Sequence, residues 1–137
     1  MDMQTQFESY LREVDEEIRN IQGFQDVPLF YDPIHYILSL TSKKIRPLLV
    51  ALSSGACGGS LESARFPAAA VELLHDFTLV HDDIMDDDHT RRGKPTVHVK
   101  WALNTAILAG DGLMGISFQK LMQTPTGDMR RMALPLT

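Results

Sequence analysis

Asp82, Asp83, Asp86, Asp87 and Asp88 place five carboxylates within seven residues. Aspartate is a poor helix former, and like charges four apart repel. Yet the run directly follows Leu79-Val80 and encloses Ile84-Met85, so a positive partner should offset the repulsion. On a helix, Asp82 and Asp86 share one face at i and i+4, with Asp83 beside them. Carboxylates so placed can share hard divalent cations. Magnesium typically takes one or two of them, while waters and phosphate oxygens complete its octahedron. Taken alone, the run also reads as a solvated acidic helix end. A calcium loop fails on spacing: starting at Asp86, it would put Arg91 where glycine is needed and Val97 where the closing glutamate belongs.

Two basic clusters flank this motif. Arg91-Arg92 follow the aspartates within a few residues, in a tight loop that contains Gly93 and Pro95. Upstream, Lys43, Lys44 and Arg46 sit just before Pro47, which is expected at the first position of a helix. A helix N-terminus presents free N–H groups and a positive dipole end to an anion. Arginine's fork suits bidentate phosphate binding, and lysine adds a point charge. Each basic pair alone is ordinary surface; together with a metal-type motif they describe a site for more than one phosphorylated ligand. His75 lies about two turns before Asp82 and projects toward the same face. His81, His89 and His98 have no role that spacing assigns.

The elements that must position these groups read as helices throughout. Phe7, Leu11, Val14, Ile18 and Ile21 recur on one helical face, and Gly23 is expected to end that helix. Asp32-Pro33 predicts an N-cap and first helical residue for a short second helix through Ile37 and Leu38. Pro47 opens a third, closed by Gly58-Gly59. Ser60 begins the helix that carries the aspartates, to about Asp86, with Pro67 a candidate kink. Residues 90–95 read as a loop. Helix resumes near Val97 and again, capped by Asn104, to about Met122. Strand signals are absent. The expected architecture is all-α, a single helical unit over residues 1–137.

The chain has 137 residues, 44% of them hydrophobic and 23% charged, enough for one real core. A net charge of -5 argues against a general affinity for nucleic acid or anionic membrane. Cys57 is the only cysteine. No intrachain disulfide can form, and a cytoplasmic location is expected. The opening MDMQTQFESY lacks the regions of a signal peptide, and no stretch reaches the ~18 apolar residues of a membrane span.

Lys43-Lys44-Ile45-Arg46-Pro47, Glu72-Leu73-Leu74-His75, His81-Asp82-Asp83-Ile84-Met85-Asp86-Asp87-Asp88, Arg91-Arg92-Gly93-Lys94-Pro95-Thr96 and Ala109-Gly110-Asp111 stand in this order. In types and spacing they resemble the polyprenyl synthetase family of trans-isoprenyl diphosphate synthases, across nearly the whole chain. The resemblance implies the N-terminal half of an isoprenoid-synthase-type helical bundle with a central cavity. It implies head-to-tail condensation of isopentenyl diphosphate with an allylic diphosphate, with Mg2+ as cofactor. Carried over residue by residue, Asp82, Asp83 and Asp86 would hold magnesium on the allylic diphosphate, and Arg91 would be a second anchor. Lys43, Arg46, His75 and Arg92 would bind isopentenyl diphosphate. Phe77 and Thr78, roughly 6–8 Å down the helix from Asp82, would help set product length. An aromatic Phe77 suits the short-chain farnesyl and geranylgeranyl products, and it equally suits ordinary core packing. Asp111 would be structural or stand behind the ligands.

The pattern also departs from the family. Thr41-Ser42 stand where glycines are usual. After Asp88 only Asp111 and Asp128 follow, so the second aspartate-rich motif is missing. Half a cavity would expose apolar surface, and a homo- or hetero-oligomer is expected. Three readings follow: an N-terminal portion of a prenyltransferase, a half-length subunit completed by a partner, or a non-catalytic diphosphate-binding or regulatory subunit of a full-length synthase.

Overall fold

The computed structural model describes residues 2–21, 23, 25–40 and 42–124. Thr41, Asp128 and Thr137 lie outside them. Six helices and one small hairpin follow in chain order: α1 Met3–Arg19, α2 Pro28–Ser39, α3 Ile45–Ala56, α4 Leu61–Met85, β1 Thr90–Arg91, β2 Lys94–Pro95, α5 Val97–Lys100 and α6 Leu103–Met122. The all-α expectation holds.

Helix α4 is the central element, packed against α1, α3 and α6, with α2 lying on α6. Its start is a capping box: Ser60 and Ser63 each donate a backbone N–H to the other's hydroxyl, at 3.1 Å both ways. Small residues let the helices approach closely. Ala64, Ala68 and Ala69 on α4 and Ala106 and Ala109 on α6 are all buried. Around them Val14, Ile18, Ile34, Leu73, Leu113 and Ile116 form the core, each no more than 2% exposed. A fully buried leucine such as Leu73 contributes about 2–5 kcal/mol by the cost of truncating it to alanine. Lys120 fastens the last helix to the first. Its buried ammonium donates to Glu17 Oε2 at 3.2 Å and to the Asn20 carbonyl at 3.0 Å.

Several boundaries differ from the sequence expectations. Helix α1 stops at Arg19 with Asn20 as its C-cap; Gly23, at φ +99°, serves the turn beyond it. Pro33 does not open α2 but lies inside it, and Pro28 takes the first turn. Burial of Ile34, Ile37 and Leu38 on one face holds the helix together across the missing N–H. Pro47 stands at the third position of α3, where its missing N–H still costs no helical bond. Asn104 is likewise inside α6, which Ala102 caps without a side-chain bond. The loop at 90–95 is a hairpin, pairing Thr90 with Pro95 and Arg91 with Lys94. Two-residue strands are too short to show alternation. Arg92 and Gly93, at φ +53° and +77°, make the turn that twisted strands prefer.

Candidate active site

Helix α4 presents acids on two sides. Asp82 and Asp86, one turn apart, are exposed. Asp86 caps the helix C-terminus, where the negative dipole end favours a nearby cation. Asp83 lies about 100° around the helix and is 5% exposed. Arg91 closes on it with both arms of its fork, Nε to Oδ2 at 2.8 Å and Nη2 to Oδ1 at 2.7 Å. That pairing raises the arginine's pKa further, chiefly through the Asp83 hydrogen bond.

The three aspartates expected to act together are therefore divided. Asp83 and Arg91 satisfy each other and join the helix end to the hairpin. Among the described residues, no group of three His, Cys, Asp or Glu side chains is placed to hold a metal. The pair that remains, Asp82 and Asp86, matches the one or two carboxylates that magnesium uses when phosphate and water supply its other ligands.

The expected second-substrate residues do converge. Lys43, Arg46, His75 and Arg92 line one cleft of about 460 Å³, with Ser42, Lys44, Ile45 and Glu72 completing it. Lys43 and Arg46 flank the first turn of α3, His75 comes from α4, and Arg92 comes from the tip of the hairpin. Arg92 also donates to the Leu40 carbonyl at 3.4 Å, which ties the hairpin to the loop before α3. The non-glycine residues with positive φ among those described are Lys44, Asp87 and Arg92. All three border the site, and each costs on the order of 1 kcal/mol or more.

His75 titrates below its ordinary value, first because of burial and then because Arg46, Arg92 and Arg91 repel its proton. It faces the cleft as a neutral ring at pH 7. Lys44 turns away from the cleft opening: its ammonium lies 3.4 Å from Asp15 and 3.9 Å from Glu72.

Two acids of this site escaped the sequence reading. Glu72 is 2% exposed and accepts a hydrogen bond from the Ser42 hydroxyl at 2.5 Å. Asp76, one turn further on, is 7% exposed. Its pKa is pushed up to about 7, by burial first and then by the Glu72 charge, against the pull of Lys44, Arg92 and Arg46. With Asp83 these acids form a buried row at positions 72, 76 and 83. The available signal was that spacing of four and seven, which keeps all three on one side of α4.

The two residues expected to set product length part company. Thr78 is exposed on the Asp82 side, its hydroxyl donating to the His75 carbonyl at 2.7 Å. Phe77 is half-buried, its ring edge-on to His81 at 4.7 Å between centroids. His81 lies against α6, with Nε2 3.6 Å from Asp111 Oδ1. Only glycine at 110 permits this, since a Cβ there would stand 2.5 Å from His81 Nε2. The open side of α4 and α6 is apolar, with Leu74, Met85, Leu103, Met114, Phe118 and Met122 all at least 38% exposed. No helix among the described residues is long and apolar enough to cross a membrane.

Known proteins are similar to this chain in sequence and fold. A profile of the polyprenyl synthetase family matches residues 27–134. A geranylgeranyl diphosphate synthase of Sulfolobus acidocaldarius is 45% identical over 124 residues, covering 88% of this chain and 38% of the relative. A farnesyl diphosphate synthase of Haemophilus influenzae is 42% identical over 96 residues, 69% of this chain and 32% of the relative. Among solved structures, the geranylgeranyl pyrophosphate synthetase of Pyrococcus horikoshii superposes with a TM-score of 0.83 at 40% identity, over 93% of this chain and 39% of that one. The chain thus spans less than two fifths of the length of these relatives. It belongs to the polyprenyl synthetase family.

Proposed function

We propose that this member of the polyprenyl synthetase family supplies the diphosphate-binding wall of a short-chain prenyltransferase that joins isopentenyl diphosphate head-to-tail to an allylic diphosphate. The observation that carries the reading is the convergence of Lys43, Arg46, His75 and Arg92 on one cleft, beside the helix that exposes Asp82 and Asp86. One side holds an anion with bases; the other holds it through a cation.

In this reading Lys43, Arg46 and Arg92 clamp the diphosphate of isopentenyl diphosphate, and neutral His75 completes the ring of donors. Clamping both substrates on adjacent elements aligns the reacting carbons, which is mainly a gain from positioning. Asp82 and Asp86 hold Mg2+, which when bound stabilises charge on the departing allylic diphosphate. Arg91 acts through Asp83, holding the hairpin so that Arg92 reaches the cleft. Thr78 stands on the side where a growing chain would run, and Phe77 borders it, in keeping with farnesyl- or geranylgeranyl-sized products. The exposed apolar side of α4 and α6 closes the cavity in a homo- or hetero-oligomer or against further helices, with the remaining metal contacts coming from outside these residues. The work is cytoplasmic.

Calorimetry of inorganic pyrophosphate against this chain tests the cleft. Micromolar to low-millimolar binding, lost in Lys43→Ala/Arg46→Ala, is the expected result; no binding by the unsubstituted chain would defeat the reading. A radiolabelled condensation assay with magnesium, with and without candidate partner chains, then separates an enzyme component from a diphosphate-binding subunit. Turnover in any combination, lost in Asp82→Asn, supports the former.

A further inference from the structure

The cleft's basic residues need something to fix their backbone, and the first turn of α3 has no side-chain cap. Lys44, its N-cap, sits at φ +52° and ψ +34°, a conformation that costs a non-glycine residue on the order of 1 kcal/mol. Ser42 compensates from two residues away. Its Oγ accepts the Lys44 N–H at 3.1 Å and donates its own proton to Glu72 Oε1 at 2.5 Å. Glu72 is fixed in turn, 2% exposed on the central helix. One hydroxyl therefore links the backbone of this turn to a buried carboxylate of the central helix.

We propose that Ser42 is a positioning residue of the diphosphate cleft: its hydroxyl latches the 42–46 turn to Glu72 and so sets the directions of Lys43 and Arg46. The inference rests on the reading of this cleft as a diphosphate site. The latch sorts the three bases. Lys44 is drawn inward to Asp15 and Glu72, while Lys43 and Arg46 stay exposed at the cleft edge. Without the hydroxyl, the Lys44 N–H loses its acceptor, and among the described residues Glu72 keeps the ammonium at 3.9 Å. The left-handed turn then has no local bond to offset its cost, and the two cleft bases lose their fixed direction.

The test compares Ser42→Thr with Ser42→Val, which are nearly isosteric and differ in the hydroxyl. Calorimetry with inorganic pyrophosphate is run on both variants, the unsubstituted chain and Lys43→Ala/Arg46→Ala. The threonine variant should bind within about twofold of the unsubstituted chain, and the valine variant about tenfold more weakly, the effect of one hydrogen bond. Circular dichroism and urea midpoints of the two variants, matched against each other, separate loss of the latch from loss of fold. Equal affinity of the two variants overturns the role of Ser42. So does a valine variant whose weaker binding is matched by a lower urea midpoint. If Lys43→Ala/Arg46→Ala abolishes binding while the valine variant does not weaken it, the cleft stands and only the latch falls. Absence of binding by the unsubstituted chain removes the cleft, and the latch with it.

Discussion

Helix α4 carries two sets of acids that differ in what lies opposite them. Glu72, Asp76 and Asp83 are buried and face bases contributed by this chain: Lys44 from the N-cap of α3, Arg91 from the hairpin, and the field of Arg46 and Arg92. Asp82 and Asp86 are exposed and have no salt bridge among the described residues. The inner set builds the site, since it fixes the loop and the hairpin that bring basic residues to the cleft. In the proposed function, the outer set is left for a cation. Both sets contain aspartates, so the role of each carboxylate is decided by direction on the helix.

This contrast can be broken, and the inner set should break hardest. Arg91→Ala leaves Asp83 as an unpaired buried charge, and a loss of about 3–5 kcal/mol in urea unfolding is expected. Asp82→Asn should change stability by less than about 0.5 kcal/mol. If the two cost the same, the division between the sets is wrong.

Asp76 gives the next largest effect, with a pH signature. Its folded pKa of about 7 lies above the ordinary 3.8, so the folded state holds a proton that the unfolded state has released. Stability contributed by the protonated acid is complete below about pH 4 and is lost as pH rises toward and through 7, at up to about 1.4 kcal/mol per unit. Asp76→Asn, which cannot ionise, should gain up to about 4 kcal/mol over the parent at pH 8 and close to nothing at pH 4. Denaturation midpoints at both values check it.

A third substitution series separates cleft from metal pair. Lys43→Ala/Arg46→Ala should weaken pyrophosphate binding by about a hundredfold without magnesium, as expected for two lost charge-assisted contacts. Asp82→Asn/Asp86→Asn should leave that metal-free binding within about twofold. The smallest effect is at His75, whose pKa is held down by burial and by Arg46. A bound diphosphate neutralises Arg46 and Arg92, so the ring should titrate higher in its presence, read by NMR.

Much of this site is legible in the sequence because its signals are local. Spacing of four puts Asp82 and Asp86 on one face, and the hairpin tip at Arg92-Gly93 is marked by its glycine. What the sequence hides is which way the middle aspartate turns. Asp83 sits on the same side as Glu72 and Asp76, a stripe that polarity alone assigns to solvent, and only the bases from α3 and the hairpin make its burial tolerable. Helix ends were hidden for a related reason. Pro33 marks a boundary by local rules, yet the apolar face of Ile34, Ile37 and Leu38 against α6 carries α2 through it. Local propensity is worth fractions of a kcal/mol per residue, and a buried aliphatic face outweighs it.

The bond between Lys120 and Glu17 has a consequence for how the chain is made. The two residues are 103 positions apart. At roughly 5–20 residues per second of synthesis, Glu17 waits on the order of 5–20 s for its ammonium to emerge. Arg65, whose Nε stands 3.6 Å from Glu17 in the finished fold, leaves the ribosome first. Order along the chain therefore makes that arginine available to Glu17 before the ammonium of α6.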